Sequence, residues 1–173
     1  MSQSTYSIAQ LNAMNAAQFV QALGGIYEHS PWVAEQAATQ RPFASADALT
    51  TAMRHAVDAA GIDPQLKLVR AHPELAGKAA VRGELTVEST REQAGAGLDQ
   101  CTPEEFARLQ DLNNRYNEKF GFPFILAVRG YDRHGIIEAF AKRVDNDRDT
   151  ELRASLEQIH RIAGFRLHDL ISG

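Results

Sequence analysis

Sulfur is nearly missing from this chain. Cys101 is the one cysteine among 173 residues, so an intramolecular disulfide is impossible and a zinc site built on cysteine pairs is excluded. An excess of positive charge is missing too. The formal net charge is −4 at pH 7 with a pI near 5.8, and no basic stripe stands out, which argues against a nucleic-acid backbone as partner. The longest apolar run, FPFILAV at 122–128, is far too short to span a bilayer. The opening MSQSTYSIAQ has no charged-then-apolar signal pattern, and the closing Ile171-Ser172-Gly173 is not a Ser-Lys-Leu address. A reducing cytoplasm is therefore the expected compartment. No internal repeat, GxGxxG, P-loop or HExxH pattern occurs, and no metal site is expected.

What the chain does have is helix punctuation. Apolar residues make up 44% and charged residues 23%, a composition that supports a folded core. Ser30-Pro31 pairs a capping residue with proline ahead of WVAEQAATQ, and Asp63-Pro64 repeats the device before QLKLVRA. Ser45 is placed to cap ADALTTAMRHAVDAA, with Gly61 as a left-handed terminator. Thr102-Pro103-Glu104-Glu105 reads as a capping box, opening a helix with Phe106, Leu109, Leu112, Tyr116 and Phe120 in one stripe. Residues from about Asp149 to Ile171 form a long amphipathic pattern. Strand signals are scarce, and FPFILAVRG, lacking an alternating partner, reads as a turn plus a short helix or extended piece under the core. The expectation is an all-α fold, one compact domain over 1–173 with seven to nine helices. Loops are expected near 24–30, 40–45, 73–87, 121–134 and 145–148.

Three places carry chemistry. His72 precedes Pro73, whose ring disfavours helical backbone in the residue before it, so the helix through Lys67 and Val69 should end at or before His72. The imidazole then sits at a helix-to-loop junction, either as a group aimed at something or as a histidine favoured by the helix dipole. In TVESTREQAGAGLD, Ser89 and Glu92 fit a capping box; if Thr86 caps instead, they lie one turn apart on one face, with Gln93 about a quarter-turn from Glu92. On the last helix Leu152, Leu156, Ile159, Ala163 and Leu170 share a stripe that includes Arg166 but not Arg161. A core-facing arginine must be paired, with a structural carboxylate or with an anionic ligand held by its planar fork. His29, His55, His134, His160 and His168 are expected at the surface or at helix ends. Cys101 is expected to be structural, although the helix start after it would favour a thiolate.

Together AHPELAG (71–77), ESTREQAGAGLD (88–99) and NEKFGFPFILAVRG (117–130), in that order, closely resemble the ureidoimidazoline decarboxylase family of purine breakdown. The likeness continues through HGIIEAFAKRV and QIHRIAGFRLHDL, so it covers nearly the whole chain. It implies an all-helical enzyme without metal or organic cofactor, commonly a homodimer. Such an enzyme decarboxylates 2-oxo-4-hydroxy-4-carboxy-5-ureidoimidazoline (OHCU) to (S)-allantoin. By motif position the resemblance makes His72 the acid/base, Glu92 its partner and Arg166 the substrate anchor. Pro73, Ser89 and Gln93 would line the pocket, with backbone groups near Phe124, Ile125 and Ala127 binding the ring and ureido group. The rivals are a helical adaptor whose grooves bind a partner helix and a cofactor-free ureide hydrolase.

Overall fold

The computed structural model describes residues 5–77, 80 and 82–172. Among these residues it is all-α: nine α-helices, one 3₁₀ turn and a lone bridge between Tyr6 and Ile171 in place of any sheet. The helices are α1 (Ile8–Ala13), α2 (Ala16–Leu23), α3 (Trp32–Ala38), α4 (Ala46–Ala59), α5 (Ile62–Ala71), α6 (Val87–Gly95), α7 (Pro103–Phe120), α8 (Arg133–Arg143) and α9 (Arg148–Leu170). The 3₁₀ turn is Leu98–Gln100. Two compact units share the chain: Met1–Ala71 with His160–Gly173, and His72–Ile159.

In the first unit α2, α3 and α4 pack on one another over fully buried Phe19, Leu23, Val33, Leu49, Met53 and Val57. Each such side chain contributes about 1.5–3 kcal/mol by leaving water. Ser45 caps α4, its hydroxyl accepting from the Ala48 amide at 3.1 Å, and Gly61 follows the helix at φ +90°. Two expected starts are displaced. Ser30 does not cap α3, because its hydroxyl donates to the Glu28 carbonyl and Pro31 takes the cap position without a side-chain bond. The helix expected after Asp63-Pro64 starts earlier, at Ile62, which leaves both residues inside the first turn of α5. There the proline displaces only an amide that lacks an intrahelical partner anyway.

The second unit is built on α7. Its capping box is complete, with the Thr102 hydroxyl accepting from the Glu105 amide and the Glu105 carboxylate from the Thr102 amide. Leu109, Leu112, Tyr116 and Phe120 are buried as the stripe predicts, whereas Phe106 is 38% exposed at the helix's first turn. Tyr116 is the hub of an aromatic cluster, with ring centroids 4.5–6.0 Å from Phe120, Phe122, Phe124 and Phe140. Residues 122–128 are all buried and form neither helix nor strand. The short-helix alternative for FPFILAV is therefore excluded.

Candidate active site

Helix α5 ends at Ala71, and His72 is the first residue beyond it, only 7% exposed. Pro73 thus does what its ring requires of the preceding backbone. The loop that follows is held by side chains. Gln93 of α6 accepts from the Ala76 amide at 2.9 Å and donates to the Glu74 carbonyl at 3.2 Å. From α7, Gln110 donates to the Ala76 carbonyl at 2.7 Å and Asn113 to the Leu75 carbonyl at 3.0 Å. Asn117, one turn further, donates to the Glu74 carboxylate at 2.8 Å. Gly77 closes the loop so tightly that a Cβ there would meet the Glu74 Cβ at 2.6 Å, far inside van der Waals contact.

Thr86 settles the ambiguity of the next motif. Its hydroxyl accepts from the Ser89 amide at 3.2 Å, so α6 begins at Val87 and Ser89 is not the cap. Ser89 and Gln93, one turn apart, are buried, while Glu92 is half-buried. Gln93 therefore joins the helix that carries Glu92 to the loop that carries His72. Its carboxamide is occupied by that loop, which makes it a brace as well as a pocket-lining residue. Gln93 also lines a cavity of about 540 Å³ with Thr90, Leu98, Cys101 and Phe106, whose wall includes neither His72 nor Ser89 nor Glu92.

The buried 122–128 segment is held from α8 and α9. Arg143 donates to the Ile125 carbonyl and, through Nε at 2.9 Å, to Glu151, and its guanidinium lies 4.5 Å above the Phe124 ring. The Ala127 amide donates to the Gln158 side chain at 3.0 Å. So two of the backbone groups expected to meet a ligand, the Ile125 carbonyl and the Ala127 amide, have side-chain partners within the protein.

Arg166 belongs to the first unit and is 6% exposed. Its Nη2 donates to Glu28 Oε2 at 2.9 Å and its Nη1 to the Gly25 carbonyl at 3.1 Å. The structural carboxylate that a core-facing arginine demands is thus Glu28, itself 1% exposed.

One expectation for another residue is corrected. His160 is buried in the middle of α9, with Nδ1 2.8 Å from the Tyr27 hydroxyl and Nε2 3.1 Å from Asp58 Oδ1; its place is in the core, because two partners satisfy both ring nitrogens. Burial and the Glu105 charge push the Cys101 thiol up from its ordinary value and outweigh the helix start after it, which fits the structural role expected of this residue. His29, His55, His134 and His168 are exposed as expected. Residues that sequence reasoning passed over include Glu74, Gln110, Asn113, Asn117, Arg143, Glu151 and Gln158. One signal was available: at ~100° per residue, Gln110, Asn113 and Asn117 form a carboxamide row about a quarter-turn from the apolar stripe of α7.

A family profile described as OHCU decarboxylase matches residues 12–168. The chain is 44% identical over 166 residues to a 2-oxo-4-hydroxy-4-carboxy-5-ureidoimidazoline decarboxylase of Haloferax volcanii, covering 96% of each chain. It is 42% identical over 164 residues to the enzyme of the same name from Halalkalicoccus jeotgali, covering 95% of this chain and 91% of that one. It also superposes on the crystal structure of an (S)-allantoin synthase with a TM-score of 0.79 at 32% identity. That match takes in 96% of this chain and spans 54% of the other. With its motifs in family order and its helices in place, the chain belongs to the OHCU decarboxylase family.

Proposed function

We propose that this protein is a carboxy-lyase that converts 2-oxo-4-hydroxy-4-carboxy-5-ureidoimidazoline to (S)-allantoin and CO₂ in urate breakdown. The observation that carries the reading is His72, buried at the end of α5 on a loop that Gln93 ties to the helix bearing Glu92, in a chain of this family. The substrate is its own electron sink. When the C4–carboxylate bond breaks, CO₂ leaves and the electron pair delocalises through the neighbouring ring functions. The electron pair passes onto the ring nitrogen, which takes a proton; the C4 hydroxyl then releases its proton as it becomes the carbonyl, and protonation of C5 on one face completes (S)-allantoin.

The protein must supply orientation, stabilisation of the developing charge and the proton at C5. His72 handles the C4 hydroxyl proton or delivers the proton to the carbanion, and Glu92 fixes its tautomer and raises its basicity. Ser89, Pro73 and the backbone of Phe124, Ile125 and Ala127 line the pocket. By the family resemblance Arg166, although paired with Glu28, also anchors the substrate. The reading also includes a homodimer, as the family resemblance implies, and a reducing cytoplasm, as the single cysteine suggests. Among the described residues no helix is long and apolar enough to cross a membrane.

Circular dichroism of allantoin formed from freshly generated substrate tests the reaction. With the protein, one hand of allantoin accumulates together with CO₂; without it, spontaneous decay gives the racemate. A product formed without CO₂ would instead indicate a hydrolase. The role of Arg166 has its own test. Arg166→Lys keeps the charge but not the fork, so KM is expected to rise by roughly tenfold, equivalent to ~1.4 kcal/mol of binding. A lowered melting temperature with unchanged KM in the folded fraction would leave Arg166 only as the partner of Glu28.

A further inference from the structure

The connection from α5 to α6 carries more hydrogen bonding than chain closure needs. The Glu74 carbonyl, the Leu75 carbonyl and both backbone groups of Ala76 are each bonded by a side chain from α6 or α7. Ala76 sits at φ +52°, a left-handed conformation that costs a residue with a Cβ about 1–2 kcal/mol. A loop free to relax would leave that region; this one is held in it by Gln93 on one group and Gln110 on the other. The braces are all carboxamides. Such groups donate and accept in fixed directions and bring no net charge into the loop. Asn113 is 1% exposed, which places this bonding in the interior, where a lost bond is not replaced by water.

We propose that Gln110, Asn113 and Asn117, with Gln93 opposite, are positioning residues that set the aim of the His72 imidazole through residues 74–76. The inference rests on the reading of His72 as the acid/base. Proton transfer is steep in distance and angle, and a displacement of about 1 Å can cost on the order of a hundredfold in rate. Substrate binding is less sensitive to the same displacement, so the braces act on kcat more than on KM.

The test uses two half-buried members of the row. Gln110→Ala/Asn117→Ala removes two bonds to the loop, and Gln110→Glu keeps the volume of its parent but cannot donate to the Ala76 carbonyl. Rates are divided by the folded fraction from circular dichroism. The double variant is expected to lose about tenfold or more in kcat with KM within about twofold, and its kcat–pH profile to move. Gln110→Glu is expected to share the kcat loss, which a packing role would not produce. A kcat within about twofold of the parent, or a loss confined to the folded fraction or to KM, overturns the proposal. His72→Asn measured alongside separates the two ideas. If it is inactive while the brace variants turn over normally, only the positioning role falls. If it keeps parental turnover, the reading of His72 falls first.

Discussion

Replacing His72 by Asn is expected to lower turnover by about two orders of magnitude or more, while the melting temperature stays close to that of the parent. Asparagine fits the space and can hydrogen-bond, but it cannot exchange a proton near neutral pH. The braces on residues 74–76 do not involve the imidazole, so the loop should keep its conformation. Glu92→Gln is expected to fall by a similar factor. It preserves the shape of the side chain on α6 and removes the negative charge that would raise the basicity of the histidine. Both are measured as the initial rate of (S)-allantoin formation, with far-UV dichroism as the check on folding. Near-parental rates in His72→Asn would sink the mechanism.

Local features of the site were legible in the sequence; its supports were not. Pro73 after His72 places the end of α5 and Thr102 the start of α7, because each signal acts on a neighbour within a few residues, whereas for α6 Thr86 and Ser89 were both eligible caps and only the structure chose Thr86. The stripe on α9 was legible for the same reason: a single helical period puts Arg166 among Ile159, Ala163 and Leu170. The carboxamide row was harder. Gln110, Asn113 and Asn117 reach groups 34, 38 and 43 residues earlier in the chain, and no window of one helix reveals what an amide on its flank will meet. The same holds for His160, whose partners Tyr27 and Asp58 lie 133 and 102 residues away. Seen along α9 alone it resembles a flank residue. The two displaced helix starts have a local cause: a serine or aspartate before proline can be taken by another acceptor or absorbed into the first turn, and both fit the same dipeptide.

The largest effect on stability is expected from Arg143→Met. Glu151 is fully buried, and its carboxylate accepts from Arg143 Nε at 2.9 Å, the Tyr116 hydroxyl at 2.7 Å and Asn146 Nδ2 at 2.9 Å. Burial and the bond to Glu151 raise the Tyr116 phenol, so it stays protonated and donates. Two neutral donors cannot neutralise a carboxylate out of water. Removing the guanidinium leaves that charge uncompensated, a change that costs about 3–5 kcal/mol. For a chain of this length the fall in melting temperature is then about 6–20 °C. Adding Glu151→Gln to Arg143→Met should recover part of the loss, with a coupling of about 0.5–3 kcal/mol in the double-mutant cycle, because the orphaned charge goes with it. Urea unfolding of the four proteins reads the cycle, and a single-variant cost below about 1 kcal/mol would show that water reaches Glu151. The consequence extends to the site. Arg143 also donates to the Ile125 carbonyl and covers the Phe124 ring, so the same substitution frees the 122–128 segment from α8. Glu151→Gln restores neutrality but not that donor. The double variant should therefore recover stability without recovering activity, which separates the ion pair's contribution to folding from its hold on the segment that would meet the substrate.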